Sequence, residues 1–388
     1  MAPALTPHSM KSTLLTVRLK EQIARNGSIS VERYMDTCLT DPDSGYYPAR
    51  QPIGASGDFI TAPEVSQIFG ELLGLWAFAV WQSMGSPNTL TLAELGPGRG
   101  TLMADALRAL RRLPSFLESA KIVLVETSPI LRKEQEDALG SAGADIYWCE
   151  RVEELPQSPL IILANEFIDA LPIQQFVWRA GHWRERCIRI GARGGFEFCD
   201  GPAVAEQSLY RTAGLQQVPD GSILEIRPAA NAIMAALADR SQSAPIVGLI
   251  VDYGHEATAC GDTLQAMSRH TFADPLQAPG DVDLTAHVDF AALRETAEAQ
   301  GLRVYGPKTQ GALLLELGLE ARRDRLCEGA NEEQRQDVLS GAHRLIDPSA
   351  MGLLFKALAI TSKDLAPPPA FGDSETNAGT RPWRRTTS

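Results

Sequence analysis

The sequence predicts an α/β fold, a parallel sheet with helices on both faces. Two observations carry that prediction. Between residues 90 and 165, short apolar runs alternate with amphipathic helical segments. Within that alternation a glycine-rich turn, Gly96-Pro97-Gly98-Arg99-Gly100, joins one apolar run to the helix after it. The chain of 388 residues is long enough for one large α/β domain with additions. Its composition, 44% apolar and 22% charged, is that of a globular protein.

The elements follow in order. Leu15, Leu19 and Ile23 recur on one face of a helix predicted over Leu14–Asn26, and Gly27 stops it. Ser30 caps a second helix, Val31–Leu39. Asp41–Asp58 carries prolines and glycines and reads as a loop. Ala62–Met84 reads as one apolar helix with Pro63 in its first turn and Thr61 as its N-cap. Its Trp76 and Trp81 pack into the core in preference to a partner, and the oligomeric state stays open. Strands are then predicted at Leu90–Leu95, Lys121–Glu126, Ile146–Cys149 and Leu160–Asn165, with helices at Leu102–Leu113 and Ile130–Leu139.

Residues 170–245 break the alternation. Phe176–Trp178, Trp183–Ile190, Phe196–Cys199 and Ile223–Ile226 read as strands of a β insertion. Ile246–Tyr253 returns to a continuous apolar strand. A helix starts near Thr285 or Asp289, and Leu302–Tyr305 and Leu353–Ile360 are late strands around a helical excursion, Leu313–Ile346. This divides the chain into a helical N-terminal region and lid (1–85), a core (86–365) with insertions at about 173–245 and 311–350, and a disordered tail (366–388).

The formal net charge of −12 disfavours nucleic acid, whose phosphates call for a basic face. It is compatible with a cationic cofactor or a cationic substrate side chain. The six cysteines form no Cys-x-x-Cys pair, which fits reduced thiols and no metal site. No apolar run reaches the roughly 20 residues of a membrane helix, and the N-terminus has no apolar signal core. The expectation is a cytoplasmic enzyme without membrane insertion.

Five stretches carry chemistry. In the glycine turn, Gly96, Gly98 and Gly100 allow a tight reversal and close approach of a ligand to the backbone, with Pro97 between them and Thr101 opening the helix. Glu126 ends the next strand and is placed to accept the two hydroxyls of a ribose. Together they favour an adenosine cofactor. Gly-x-Gly-x-Gly, preceded by Glu94, favours S-adenosylmethionine (SAM) over the dinucleotide spacing Gly-x-Gly-x-x-Gly. Asn165-Glu166-Phe167-Ile168-Asp169-Ala170-Leu171-Pro172 follows another strand. It puts Asn165 by the cofactor, and Glu166 and Asp169 where carboxylates could orient a guanidinium acceptor and polarise its nitrogen. Val251-Asp252-Tyr253-Gly254-His255 offers His255 as a base, or Asp252 and His255 as a hydrogen-bonded loop pair. Glu225, at the end of Ile223–Ile226, is a further acceptor-side candidate, and Gly57–Glu64, with Thr61, reads as a lid.

At these residues the chain resembles the MidA-type family, whose mitochondrial members are assembly-factor methyltransferases of respiratory complex I. The matching stretches are Gly57–Gly74, Glu94–Thr101 (ELGPGRGT), Val125–Ser128, Asn165–Pro172 (NEFIDALP), Val251–His255 and Asp283–Phe290. The resemblance implies a seven-stranded, Rossmann-like SAM-dependent methyltransferase fold with helical N-terminal and inserted additions. It implies SAM as cofactor, lined by Gly96, Gly98 and Gly100, with its ribose on Glu126. It also implies methylation of an arginine on a complex I subunit. The N-terminus shows no cleavable arginine-rich presequence, which suggests a bacterial relative. Two other readings stay open: an NAD-dependent oxidoreductase on a similar sheet, and a non-catalytic assembly scaffold.

Overall fold

The structure is a computed structural model that describes residues 7–49, 61–205, 209, 218–268 and 271–372, the side chains of 7–13 and 49 excepted. Its central sheet runs, edge to edge, Arg303–Thr309, Phe355–Thr361, Ile246–His255, Leu160–Asn165, Leu90–Leu95, Ala120–Val125 and Ile146–Cys149. The last five are mutually parallel. Phe355–Thr361 is antiparallel to both of its neighbours. A two-residue strand, Val288–Asp289, pairs with the end of Ile246–His255.

The sequence explains this sheet directly. All residues of Leu90–Leu95 and Leu160–Asn165 are buried. A strand covered on both faces reads as a continuous apolar run, because neither face alternates toward water. One face is covered by the helices Gln67–Ser83 and Thr101–Leu110. The other is covered by Pro228–Ser241 and Phe290–Ala299. Asp289 caps Phe290–Ala299 through the Ala292 N–H at 2.8 Å, one of the two expected starts.

Several elements depart from the predicted ones. The first helix begins at Pro7 and the second ends at Thr40, with Ser30 capping the Arg33 N–H at 3.1 Å. The predicted loop after Asp41 contains a helical turn, Tyr46–Ala49, while residues 50–60 lie outside the described residues. The single helix predicted over Ala62–Met84 is two, Ala62–Val65 and Gln67–Ser83. Ser66 between them is extended (φ −160°, ψ 132°) and its hydroxyl accepts the Ile68 N–H at 3.3 Å. The apolar period continues across this break, so the pattern hides it. Thr61 sits at the N-cap of the first piece, but its side chain makes no capping bond.

The β insertion is a five-stranded sheet of Ile29–Ser30, His182–Ile190, Gln174–Arg179, Ile223–Ile226 and Phe196–Ala203. A small sheet of Gln265–Ser268, Thr271–Ala273 and Asp283–Thr285 was not anticipated, its strands being short and only partly apolar. Nor was the helix Pro228–Ser241, which is rich in alanine with a weak apolar stripe. The predicted disorder from residue 366 is corrected for 366–372. Trp76 Nε1 donates to Pro369 O at 3.1 Å, and Ala370 is buried. Residues 373–388 lie outside the described residues.

The helix Gln67–Ser83 sets the position of the helix that follows the glycine turn. A Cβ on Gly70 would lie 2.6 Å from Asp105 Cβ, and one on Gly74 2.8 Å from Ala106 Cα. Beside this contact the buried Glu71 carboxylate accepts from Arg108 at 3.1 Å and from Arg322 at 2.6 and 2.9 Å. Gly74→Ala is expected to cost about 1–3 kcal/mol by overpacking this contact. Urea unfolding of the two proteins measures it, and equal midpoints would show the helices free to separate.

Candidate active site

The glycine turn leaves the middle of the sheet in a conformation that side chains disfavour. Gly96, Gly98 and Gly100 have φ of 61°, 53° and 83°. Gly100 is the N-cap of Thr101–Leu110 and offers no side-chain cap. Of the first amides of that helix, that of Met103 reaches the buried Glu94 carboxylate. A Cβ on Gly96 would lie 2.6 Å from the ring of Phe167, so the turn also needs glycine to seat the next loop.

Thr61, Pro63, Glu64, Glu94, Gly96, Pro97, Gly98, Arg99, Thr101, Leu102, Asn165 and Glu166 surround one cavity. Seven of the nine residues read as cofactor-binding from the sequence thus come together, all but Gly100 and Glu126. Glu126 lies at the neighbouring strand end, outside this lining. Its carboxylate accepts the Ser128 N–H at 2.7 Å and the Gln135 amide at 3.1 Å. The Thr127 amide lies on the same carboxylate. The short Thr61–Glu64 segment lies against the turn: Thr101 Oγ1 donates to Glu64 Oε1 at 2.5 Å, and Ala62 N–H donates to Glu166 Oε1 at 2.9 Å. Gly57–Ile60, the rest of that motif, lie outside the described residues.

Gln135 escaped the sequence reading. It is fully buried, and its amide donates to Gly98 O at 2.7 Å as well as to Glu126. Its carbonyl accepts from Trp148 Nε1 at 2.8 Å. A polar residue inside an amphipathic helix looks like a solvent-facing position, and nothing in the local sequence marks it otherwise.

The four acceptor-side candidates separate. Glu166 lines the cavity of the glycine turn and has a positive φ of 49°, an unusual state for a residue with a side chain. Asn165 Nδ2 donates to its Oε1 at 3.1 Å. Asp169 is buried next to Tyr253 and Arg227, and its Oδ1 has no hydrogen-bond partner. Glu225 and His255 line a different and larger cleft, together with Arg227, His287 and Asp289. Both Glu225 oxygens are taken, by Gln175, the Thr263 N–H and the Thr263 hydroxyl. Glu225 is a brace for the inserted sheet rather than a free carboxylate. The anticipated Asp252–His255 pair does not form. His255 Nε2 lies 3.8 Å from Asp289, whereas Asp252 accepts backbone amides.

Burial governs the charges in the cavity. It raises the Glu94 carboxyl to about 8, and Glu94 Oε2 has no partner. Burial likewise raises Glu166 to about 8, against the lowering effect of the Ala62 amide. An orphaned, buried carboxylate oxygen beside a helix N-terminus fits the ammonium and carboxylate groups of an amino-acid-bearing cofactor such as SAM.

The comparisons with known proteins agree with this geometry. Residues 72–308 match a family described as S-adenosyl-L-methionine-dependent methyltransferase, and the chain belongs to that family. A Drosophila melanogaster relative, the mitochondrial protein arginine methyltransferase NDUFAF7 homolog, is 37% identical over 89% of this chain and 84% of its own length. The human protein arginine methyltransferase NDUFAF7, mitochondrial, is 35% identical over 88% and 82%. A crystal structure of a methyl transferase from Burkholderia thailandensis bound to S-adenosyl-homocysteine superposes with a TM-score of 0.83 at 29% identity. It covers 97% of this chain and 100% of that one. SAM is thus the cofactor and methyl transfer the reaction, and the oxidoreductase and scaffold readings fall away. The expectation of a cytoplasmic protein is overturned, since these animal relatives are mitochondrial. Among the described residues no helix is long and apolar enough to cross a membrane.

A raised carboxyl favours the folded state when protonated. For Glu94 and Glu166 that stability is complete below their ordinary range and is lost as pH rises through about 8. The ligand-free protein should therefore melt at progressively lower temperature between pH 5 and 9. Glu94→Gln should flatten that decline, as calorimetric melting across the range would show. An equal slope in the variant would remove Glu94 from this role.

Proposed function

We propose that this chain methylates the guanidinium of an arginine on a protein, and that the protein is a subunit of respiratory complex I on its way to assembly. The observation that carries the reading is identity of 37% across most of the chain with a relative named a protein arginine methyltransferase. The carboxylates of half-buried Glu166 and buried Asp169, close together at the end of the Leu160–Asn165 strand, support it chemically.

Gly96, Pro97, Gly98, Gly100 and Thr101 would hold the cofactor by their backbone, Glu94 and Asn165 its amino-acid end, and Glu126 its ribose. Thr61 would close the cavity from the other side. When bound, SAM supplies a methyl group on a positively charged sulfur. The chain must then align the acceptor nitrogen and take up its proton. Glu166 and Asp169, once ionised, would orient the guanidinium by paired hydrogen bonds and disperse its charge. Their buried setting strengthens those bonds by excluding water. His255, held by Asp289 in the second cleft, is a proton acceptor at one remove.

Incubating the protein with labelled SAM and a lysate that lacks it should label one band, with the methyl on arginine by mass spectrometry. Label on another residue type, or none, would overturn the acceptor. In Gly98→Val the side chain meets a φ of 53° that valine disfavours and fills space next to the cofactor. Calorimetry with S-adenosylhomocysteine should show binding abolished in that variant while the fold persists, and unchanged affinity would relocate the cofactor.

A further inference from the structure

The loop that carries Glu166 and Asp169 is fixed by more than those side chains, which bond Ala62 and Tyr253. Its backbone is fixed from two sides by residues on other elements. Asp252, fully buried in the Ile246–His255 strand, accepts the amides of Ile168 at 3.0 Å and Asp169 at 3.1 Å on one oxygen. Its other oxygen accepts the Tyr253 amide at 2.9 Å. Arg227 donates to the carbonyls of the same loop, Leu171 O at 3.0 Å and Asp169 O at 3.2 Å. The rest of its fork reaches Ala286 O at 2.9 Å and His287 O at 3.2 Å.

We infer that Asp252 and Arg227 are positioning residues, a two-sided clamp on the backbone of the loop that presents Glu166 and Asp169 to the methyl acceptor. This rests on the reading of those two carboxylates given above. The clamp matches each group to what it can bond. A carboxylate has acceptor sites only and takes the loop's N–H groups, while a guanidinium has donors only and takes its C=O groups. No lysine could span four carbonyls on two segments.

The arrangement also accounts for the backbone of Glu166. A residue held at φ 49° persists only when its surroundings over-determine it. Here the Glu166 N–H donates to Val251 O at 2.9 Å, one residue before Asp252 in the same strand. The strand Ile246–His255 thus supplies, in consecutive positions, the bonds that hold the start and the middle of the loop. Asp169 is left with Oδ1 unpartnered inside a buried site. The rest of that carboxylate is held by the Tyr253 hydroxyl and the Ala170 amide. One Asp169 oxygen is thus left open while both oxygens of Asp252 are committed.

Asp252→Asn and Arg227→Lys in the full chain test this by hydrogen exchange, calorimetry and transfer. Exchange of the 166–171 amides should quicken about tenfold, the equivalent of one lost hydrogen bond. The glycine-turn amides 96–101 should keep their rate, and S-adenosylhomocysteine should bind with unchanged affinity. Methyl transfer into the lysate at saturating SAM should fall about 100-fold, the scale of a reacting group displaced by about 1 Å, with the KM for SAM unchanged. The double variant should be no worse than either single one, because both act on one loop. Equal loosening of both peptides, or loss of ligand affinity alongside activity, would make the pair mere scaffolding and overturn the clamp. So would unaltered exchange at 166–171. Should neither variant fold, the native protein still decides. The Ile168 and Asp169 amides must be protected like the Leu160–Asn165 strand, and exchange at open-loop rates refutes the inference. Absence of arginine methylation would sink the acceptor assignment but leave the exchange and affinity results to judge the clamp separately.

Discussion

The side-chain amide of Gln135 is the interaction on which the cofactor side depends. From one buried position it bonds the carbonyl of Gly98, the carboxylate of Glu126 and the indole of Trp148. It therefore ties the turn after the central strand to the acid at the end of the neighbouring strand, and both to the sheet's edge. Three left-handed glycines in five residues make a turn with little stiffness of its own. A buried amide with both ends satisfied supplies the stiffness from outside. The distance between the turn and Glu126 is then set by a helix rather than by the mobile turn.

The acceptor side follows the opposite plan. There the loop is restrained through its own backbone, by charged groups reaching in from a strand and from the start of a helix. The two halves of the site thus hang on different elements, and they meet at Glu166. That residue borders the cofactor cavity, yet its chain direction is set by Val251. Its carboxylate also accepts the amide of Ala62, from the segment that lies over the glycine turn. Its protonation, pushed up to about 8 by burial, is coupled to both halves.

Much of this was legible in the sequence, for identifiable reasons. Leu90–Leu95 and Leu160–Asn165 have the bounds the sequence predicts, because strands of a covered parallel sheet are apolar runs between polar breaks, and the half-buried edge strand Ile146–Cys149 has its predicted bounds too. The glycine turn and Glu126 were legible because few residue types serve those places. The break at Ser66 was not, since helical periodicity passes through a single extended residue. Asp252 and Gln135 were not, because a polar letter in a strand or helix does not say what it bonds: Asp252 takes backbone amides 84 and 83 residues away, and Gln135 bridges Gly98, Glu126 and Trp148. Glu225 was misjudged for the same reason: its position at a strand end invited a chemical role, while Thr263 and Gln175 had already claimed both oxygens.

The reversed strand Phe355–Thr361 has a consequence for how the enzyme comes into being. It pairs along nearly the whole length of Ile246–His255, from Val247 to Tyr253, Asp252 included. Until Phe355–Thr361 has been made, Ile246–His255 has an open edge on one side. The glycine turn, Glu126 and Gln135 belong to strands and helices made more than 200 residues earlier. A nascent chain can therefore assemble the cofactor half while the acceptor half still lacks its last wall. Closing the sheet through Phe355–Thr361 is thus a separate and later step of assembly.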